Sequence, residues 1–324
     1  GPACGQPWKP PRKYKEEIIV KQLSLGGVLQ APAIALGCMR INSLEKSQAN
    51  HLLNTALENG VNFFDHADIY GGGEAERFFA QALPMTPSLR EKVLIQSKCS
   101  ILPGVAYDCS KEHILKAVEG SLTRLNTEYL DVLLLHRPDA LVEPEEVAEA
   151  FRVLKESGKV RHFGVSNHSP GQMALLEQAC GEKLLINQLQ LSVAHCPMID
   201  AGLNVNIEND RALDRDGDVL NYCRLRGVTI QAWSPFQYGM FQGTFLGSEK
   251  FPELNAAIGQ LAEKYGATPN AIAIAWILRH PAKIQAIVGT TNAQRLAGIC
   301  KAAEIQLTRT EWYGLYLAAG KKLP

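Results

Sequence analysis

Four residues of this chain could together do chemistry: Asp65, Tyr70, Lys98 and His136. Asp65 and Tyr70 belong to the stretch Val61-Asn62-Phe63-Phe64-Asp65-His66-Ala67-Asp68-Ile69-Tyr70-Gly71-Gly72, an apolar run that breaks abruptly into polar residues and glycines. The run reads as a buried strand that delivers Asp65 at its end and Tyr70 just beyond. An unperturbed tyrosine has a pKa of about 10, so it is a poor proton donor at neutral pH unless its surroundings tune it. A lysine ammonium beside the phenol favours the phenolate. A carboxylate holds that ammonium in place and offsets its burial. An imidazole can hydrogen-bond a substrate oxygen and fix its orientation. That set is what a carbonyl reduction needs, a tuned proton donor beside a place for a hydride donor. Each residue also has a bland reading. Asp65 alone could cap a loop, Lys98 could form a rim ion pair, and His136, before Arg137-Pro138, could simply finish a strand. Their fall on three consecutive strand ends favours the chemistry.

The elements that must position them alternate regularly. Ile18 to Leu29 is a short hairpin pattern around Gly26-Gly27. From there the predicted strands are 33–37, 61–65, 93–98, 130–136, 160–166, 185–191, 228–233 and 284–288. The predicted helices are 47–59, 74–83, 110–125, 143–157, 169–180, 218–226, 253–265, 269–279, 293–303 and 311–319. Eight strand–helix alternations point to parallel strands, in a closed barrel or a doubly wound open sheet. The GxGxxG fingerprint of the open dinucleotide-binding sheet is absent, and eight units in one chain favour a single-domain (β/α)₈ TIM barrel over residues 15–324. Residues 1–14, rich in Gly, Pro, Lys and Arg, read as a flexible N-terminal extension. Two connections are long, 200–216 after the sixth strand and 235–251 after the seventh, and such loops usually cover a site. Barrel sites lie at the C-terminal ends of the strands. On that rim the assignment places Asp65, Tyr70, Lys98, His136, Ser166, Asn167, Gln188 and Ser234.

Composition narrows the alternatives. The chain has 324 residues, with 33 basic and 33 acidic side chains, which argues against a nucleic-acid or anionic-membrane partner. No apolar run approaches the roughly 20 residues of a spanning helix, and no N-terminal stretch has the regions of a signal peptide. Eight cysteines without a CxxC pair or zinc spacing read as free thiols of a cytoplasmic protein. His66, His162 and His168 lack metal-ligand spacing, so no metal is expected.

From about Ile18 onward the chain resembles the aldo-keto reductases. The matching pieces are Leu36-Gly37-Cys38-Met39-Arg40, Phe64 to Gly71, Gln96-Ser97-Lys98, Leu135-His136-Arg137-Pro138-Asp139, Phe163-Gly164-Val165-Ser166-Asn167, Asn187-Gln188 and Ala232-Trp233-Ser234-Pro235. Their order and spacing together are specific, whereas any one alone is weak. The resemblance implies a barrel that binds a nicotinamide cofactor, usually NADPH, and reduces a small-molecule aldehyde or ketone. By that resemblance Tyr70 is the general acid, Lys98 and Asp65 lower its pKa, and His136 orients the carbonyl. Ser166, Asn167 and Gln188 match the positions that hold the carboxamide, and Trp233 the aromatic that stacks on the nicotinamide ring. Ser234, Pro235 and Phe236 begin the loop over the pyrophosphate. Gly289, Thr290, Thr291 and Arg295 match the adenosine-phosphate end, and Gly37, Cys38, Met39, Arg40 and Asp65 complete the cofactor-binding set. The chain departs from the family at several positions. His66 stands in place of Ser or Thr, Met39 in place of a frequent pocket tryptophan, and Gly289 in place of a lysine. Gly298-Ile299 replaces a common Glu-Asn pair, leaving Arg295 to meet the 2′-phosphate. A monomer is favoured. The alternatives are a cofactor-binding regulatory subunit resembling potassium-channel β subunits, and a barrel hydrolase or aldolase in which Lys98 forms a Schiff base.

Overall fold

Runs such as Leu130-Asp131-Val132-Leu133-Leu134-Leu135 are largely apolar and buried at every position, the pattern of a parallel strand covered on each side. The computed structural model describes residues 20–324 and folds eight such runs into a closed parallel barrel. Its staves are β3 (Ile34–Gly37), β4 (Phe63–Asp65), β5 (Leu94–Cys99), β8 (Leu130–Leu135), β9 (Val160–Ser166), β10 (Ile186–Gln190), β11 (Thr229–Trp233) and β12 (Gln285–Val288). They are neighbours in chain order, and β12 closes on β3. The expected (β/α)₈ barrel is therefore the fold. The N-terminal extension 1–14 lies outside the described residues, as do Ile18 and Ile19.

Helices follow the strands and bury one stripe each. In α5 (Pro144–Glu156) the buried residues are Val147, Ala150, Phe151 and Leu154, spaced for one helix face. Helix α10 (Pro269–Leu278) differs, burying every residue from Ala271 to Leu278. Between barrel and helices lies the larger apolar core. A smaller one fills the lower barrel, where Ala35, Phe63, Val132, Leu134, Ile186 and Ile287 meet Leu25 and Ala31 of the hairpin.

That hairpin pairs β1 (Gln22–Leu25) with β2 (Leu29–Pro32), so it sits a few residues later than the sequence pattern suggested. It stoppers the barrel's N-terminal end. The Gly26 N–H donates to Thr229 Oγ1 at 2.9 Å, and a Cβ on Gly26 would lie 2.6 Å from Leu185 Cγ. The connection after β10 is more structured than a plain loop. It contains α7 (Pro197–Leu203) and a 3₁₀ turn at Asp210–Ala212, before α8 (Val219–Arg226). A short helix, α3 (Pro87–Lys92), and a small hairpin of β6 (Ile101–Leu102) and β7 (Ala106–Tyr107) also lack the apolar periodicity that would announce them.

The seat of the hairpin can be tested with two neighbouring glycines. Gly26 and Gly27 both have positive φ, 57° and 78°, but only Gly26 has heavy atoms within 4 Å of its would-be Cβ. Both alanine variants should carry the backbone strain, and Gly26→Ala should be less stable than Gly27→Ala by a further ~1–3 kcal/mol. Urea denaturation reads the difference, and equal losses would mean the hairpin does not seat on Leu185.

Candidate active site

Side chains alternate along a strand, so every second residue points into the barrel. Along β4 the inward positions are Phe63 and Asp65. Along β5 they are Leu94, Gln96 and Lys98, and the β8 series ends just beyond the strand at His136. The apolar layer therefore gives way, towards the C-terminal mouth, to a polar one.

Lys98 is the centre of that layer and is 1% exposed. Its ammonium donates to the Asp65 carboxylate at 3.0 Å, the His66 carbonyl at 2.9 Å and the Tyr70 hydroxyl at 2.9 Å. Three N–H groups thus meet three acceptors, as a buried ammonium requires. Burial alone depresses the lysine pKa, but Asp65 and Tyr70 outweigh it and hold Lys98 above its ordinary value. A lysine held charged in this way is the opposite of what Schiff-base chemistry needs, which removes the aldolase reading.

Tyr70 arrives by a tight turn. It begins the 3₁₀ segment Tyr70–Gly73, in which Gly71, Gly72 and Gly73 have φ of 59°, 66° and 95°. Residues with a Cβ avoid that region, and at Gly71 a Cβ would also come within 2.8 Å of Asn42 Nδ2. Because the hydroxyl oxygen accepts from Lys98, its own proton is left to point elsewhere. Burial pushes the Tyr70 pKa above that of an ordinary phenol, with Lys98 pulling down against it. Asp65 pushes it up, so its part is to hold Lys98, and it does not itself lower the tyrosine's pKa. His136 stands edge-on to Tyr70, ring centroids 6.0 Å apart at 86°. Burial, then Lys98 and Arg137, push its pKa down to about 2, so the imidazole is neutral. Its Nδ1 is buried without a partner among the described residues.

A second connected group lies across the mouth on β9, β10 and β11. Ser166 Oγ donates to the Gln188 carbonyl at 2.8 Å. The Asn167 amide donates to Ser166 Oγ at 2.9 Å and the His136 carbonyl at 3.2 Å, and its oxygen accepts the Trp233 indole N–H at 3.0 Å. The Arg137 guanidinium lies 5.9 Å from the Trp233 ring centroid. Beyond Trp233 the chain turns through Ser234, at φ 48°, and Pro235 into a loop closed by the Phe245 N–H on the Phe236 carbonyl at 3.0 Å. Ser192 Oγ ties this loop to the one after β10, donating to the Gln237 carbonyl at 2.6 Å.

The remaining expected residues lie along the β3–β12 seam. The Cys38 N–H donates to the Asp65 carbonyl at 2.9 Å, while Met39 and Arg40 are exposed. A Cβ on Gly37 would be 3.8 Å from Gly289 Cα. Thr290 and Thr291 lead into α11 (Ala293–Cys300), capped by Asn292, whose Oδ1 accepts the Arg295 N–H at 2.8 Å. The Arg295 side chain is exposed and has no hydrogen-bond or ion-pair partner among the described residues.

Sequence reasoning missed the support beneath Asp65. Gln96 donates to Asp65 Oδ1 at 2.8 Å and to Gln231 Oε1 at 2.9 Å. Gln188 donates to that same Gln231 oxygen at 2.9 Å. Gln231 donates on to Gln285 at 2.8 Å, and Gln285 to the Pro32 carbonyl at 2.8 Å. The legible signal was glutamine at an inward position of four strands whose other inward residues are mostly apolar.

His66 is wholly buried, its ring 4.4 Å from that of Phe79, with neither nitrogen partnered among the described residues. Burial, then Lys98, push its pKa down to about 3. An unfolded histidine titrates near 6.5, so between those values the unfolded chain binds a proton that the fold does not. His66's contribution to stability is thus complete above about pH 6.5 and is lost as pH falls towards 3. From pH 7 to pH 5 the wild type should lose about 2 kcal/mol more than His66→Leu. Denaturation at the two pH values checks this, and parallel losses would mean that His66 is protonated in the fold.

The profile of the "Aldo/keto reductase family" matches residues 33–315. The uncharacterized oxidoreductase YcsN of Bacillus subtilis (strain 168) is 35% identical over 311 residues, covering 92% of this chain and 98% of the relative. The 6-dehydroglucose reductase of Agrobacterium fabrum is 33% identical over 318 residues, 94% of this chain and all of that protein. The crystal structure of the thermostable aldo-keto reductase Tm1743, in complex with epalrestat, superposes with a TM-score of 0.74 at 27% identity, covering 92% of this chain and 100% of that one. A Bombyx mori aldo-keto reductase in complex with NADP shares the fold with a TM-score of 0.71 at 20% identity, covering 95% of each chain. With a buried Asp65–Lys98–Tyr70 cluster at the mouth of its barrel, this chain belongs to the aldo/keto reductase family of oxidoreductases.

Proposed function

We propose that this chain is an NADPH-dependent reductase of small-molecule aldehydes or ketones, with Tyr70 as its proton donor. One observation carries the reading. A buried, charged Lys98 lies 2.9 Å from the Tyr70 oxygen, with Asp65 as its counter-ion at 3.0 Å. The rim fits a nicotinamide cofactor. Trp233 presents a ring fixed through its indole N–H, and Ser166, Asn167 and Gln188 offer polar groups for a carboxamide. At the other end, Arg295 offers an unpaired guanidinium beside the capped start of α11, an arrangement that favours a phosphate.

When bound, the nicotinamide supplies the hydride, which is the hard part of the chemistry. The protein's groups do the rest. Neutral His136 orients the carbonyl oxygen towards Tyr70, and Tyr70 gives that oxygen its proton. Lys98 then faces the phenolate that remains and stabilises it, while Asp65 keeps Lys98 in place. Trp233 and the loops after β10 and β11 flank the mouth, held by the Trp233–Asn167 and Ser192–Gln237 hydrogen bonds. The exposed side chains of Met39, Met240 and Phe241 suit a fairly apolar carbonyl substrate. Two relatives are named 6-dehydroglucose reductases, so that compound belongs in the substrate panel.

The test is turnover of NADPH with a carbonyl panel. Tyr70→Phe should lower kcat by about 10²–10⁴-fold while binding NADPH nearly as wild type does, since it removes the proton donor alone. Near-normal turnover in that variant would sink the mechanism. Arg295→Ala should weaken NADPH by about tenfold or more and leave NADH little changed. Equal losses for the two cofactors would show that Arg295 does not read the 2′-phosphate.

A further inference from the structure

Far from Tyr70 in sequence, the C-terminal segment brings a second buried lysine against a thiol. Lys321 follows α12 (Arg309–Ala318) and is 8% exposed. Its Nζ lies 2.7 Å from the sulfur of Cys196, the N-cap residue of α7, which is wholly buried. Asp200, on α7, accepts from the same ammonium at 3.0 and 3.1 Å, and Tyr316 donates its O–H to Asp200 Oδ1 at 2.7 Å.

The nitrogen–sulfur distance is the anomaly. An N–H···O bond is about 2.9 Å, and sulfur is the larger atom, so an N–H···S contact should be longer. The other sulfur contacts among the described residues are all longer. Asn187 Nδ2 is 3.2 Å from Met173 Sδ, Arg137 Nη2 is 3.8 Å from Met240 Sδ, and Cys38 Sγ is 3.8 Å from the Leu36 carbonyl. Two single bonds meeting at one bent oxygen span a gap such as that between Lys321 and Cys196. A disulfide offers no rival explanation among the described residues, where Cys196 is a free thiol.

We propose that Cys196 and Lys321 are an oxidative modification site, at which a peroxide links them through one oxygen as S–O–N. The electrons balance with two peroxide molecules. The first breaks the S–H bond and gives the sulfenic acid and water. The second accepts two electrons as the sulfenic oxygen bonds to the lysine nitrogen, releasing two more waters. Sulfur and nitrogen each lose two electrons, and the two O–O bonds that break take up four. The surplus ammonium proton leaves by way of Asp200 to solvent. Cys196 is wholly buried, which excludes large electrophiles and restricts the chemistry to oxidants small enough to reach the sulfur. Burial also pushes its thiol up to about 12, so the first step is slow and the peroxide must be in excess.

The bridge would join residues 125 apart. It would pin the C-terminal segment to the connection after β10, which Ser192 already ties to the loop beyond Trp233. Arg211 reinforces the same seam, donating to the Gly320 carbonyl at 2.9 Å. Oxidation would thus stiffen the walls of the mouth without touching Tyr70, Lys98 or Asp65. The inference is independent of which carbonyl the protein reduces.

Intact-mass and tryptic-peptide spectrometry of the full chain, reduced and then treated with hydrogen peroxide, tests it without any variant. The expected product is heavier by one oxygen and lighter by two hydrogens, with a peptide joining Cys196 to Lys321 in at least half the chains. A thiol reductant should reverse it. Lys321→Arg and Cys196→Ser should each abolish the joined peptide. Cys196 recovered as sulfinic or sulfonic acid with Lys321 free would overturn the proposal. So would an unmodified Cys196 under peroxide that oxidises the exposed Met240.

Discussion

An ammonium buried in the mouth of a barrel is the constraint on which this structure depends. Moving such a charge out of water costs several kcal/mol even after the protein relaxes, so Lys98 is tolerable only if every N–H is met. Asp65, the His66 carbonyl and Tyr70 meet them. Asp65 is itself buried and needs donors, which brings in Gln96, and Gln96 brings in Gln231. The series ends at the Pro32 carbonyl of the hairpin, at the opposite end of the barrel. A continuous polar thread therefore runs through the apolar barrel from its stopper to the Lys98 cluster at its C-terminal mouth. Networks of this kind hold one arrangement firmly when complete and are costly when a member is lost.

The same constraint explains the local irregularities around the site. The run of glycines after Tyr70 exists because the phenol must fold back over Lys98, through backbone angles that other residues avoid. Ser234 and Asn167 adopt positive φ without being glycine. Both stand where a strand end must turn sharply while its side chain stays on the rim. Asn167 earns its strain through three hydrogen bonds that link β9, β8 and β11.

Much of this was legible in the sequence. The eight apolar runs, their helices and the rim residues all follow from period and punctuation, because parallel strands buried on both faces leave a strong signal. Asp65 and His136 were readable because each ends an apolar run with a polar group, and Lys98 because it stands as a charge at the end of a strand pattern. The glutamine thread was not, since a single Gln inside a strand pattern looks like a solvent-facing position until the barrel closes and fixes which face is inward. The helix α7 was hidden for another reason. Pro197-Met198-Ile199-Asp200 is too short for periodicity, and it is held by contacts from the distant C-terminal segment, Lys321 and Tyr316 on Asp200. The expectation that Asp65 would itself lower the Tyr70 pKa failed on sign. Its negative charge disfavours a phenolate, and only through Lys98 does it help.

The central claim is that Lys98 is present to favour the Tyr70 phenolate against the burial that disfavours it. The direct measurement is a carbon NMR titration of the tyrosine ring, with Cζ labelled, on wild type and Lys98→Met. Methionine keeps much of the length and volume and removes the charge. The Tyr70 resonance, assigned by its loss in Tyr70→Phe, should titrate at higher pH in Lys98→Met than in wild type. A Tyr70 pKa that is unchanged or lower in that variant would contradict the claim.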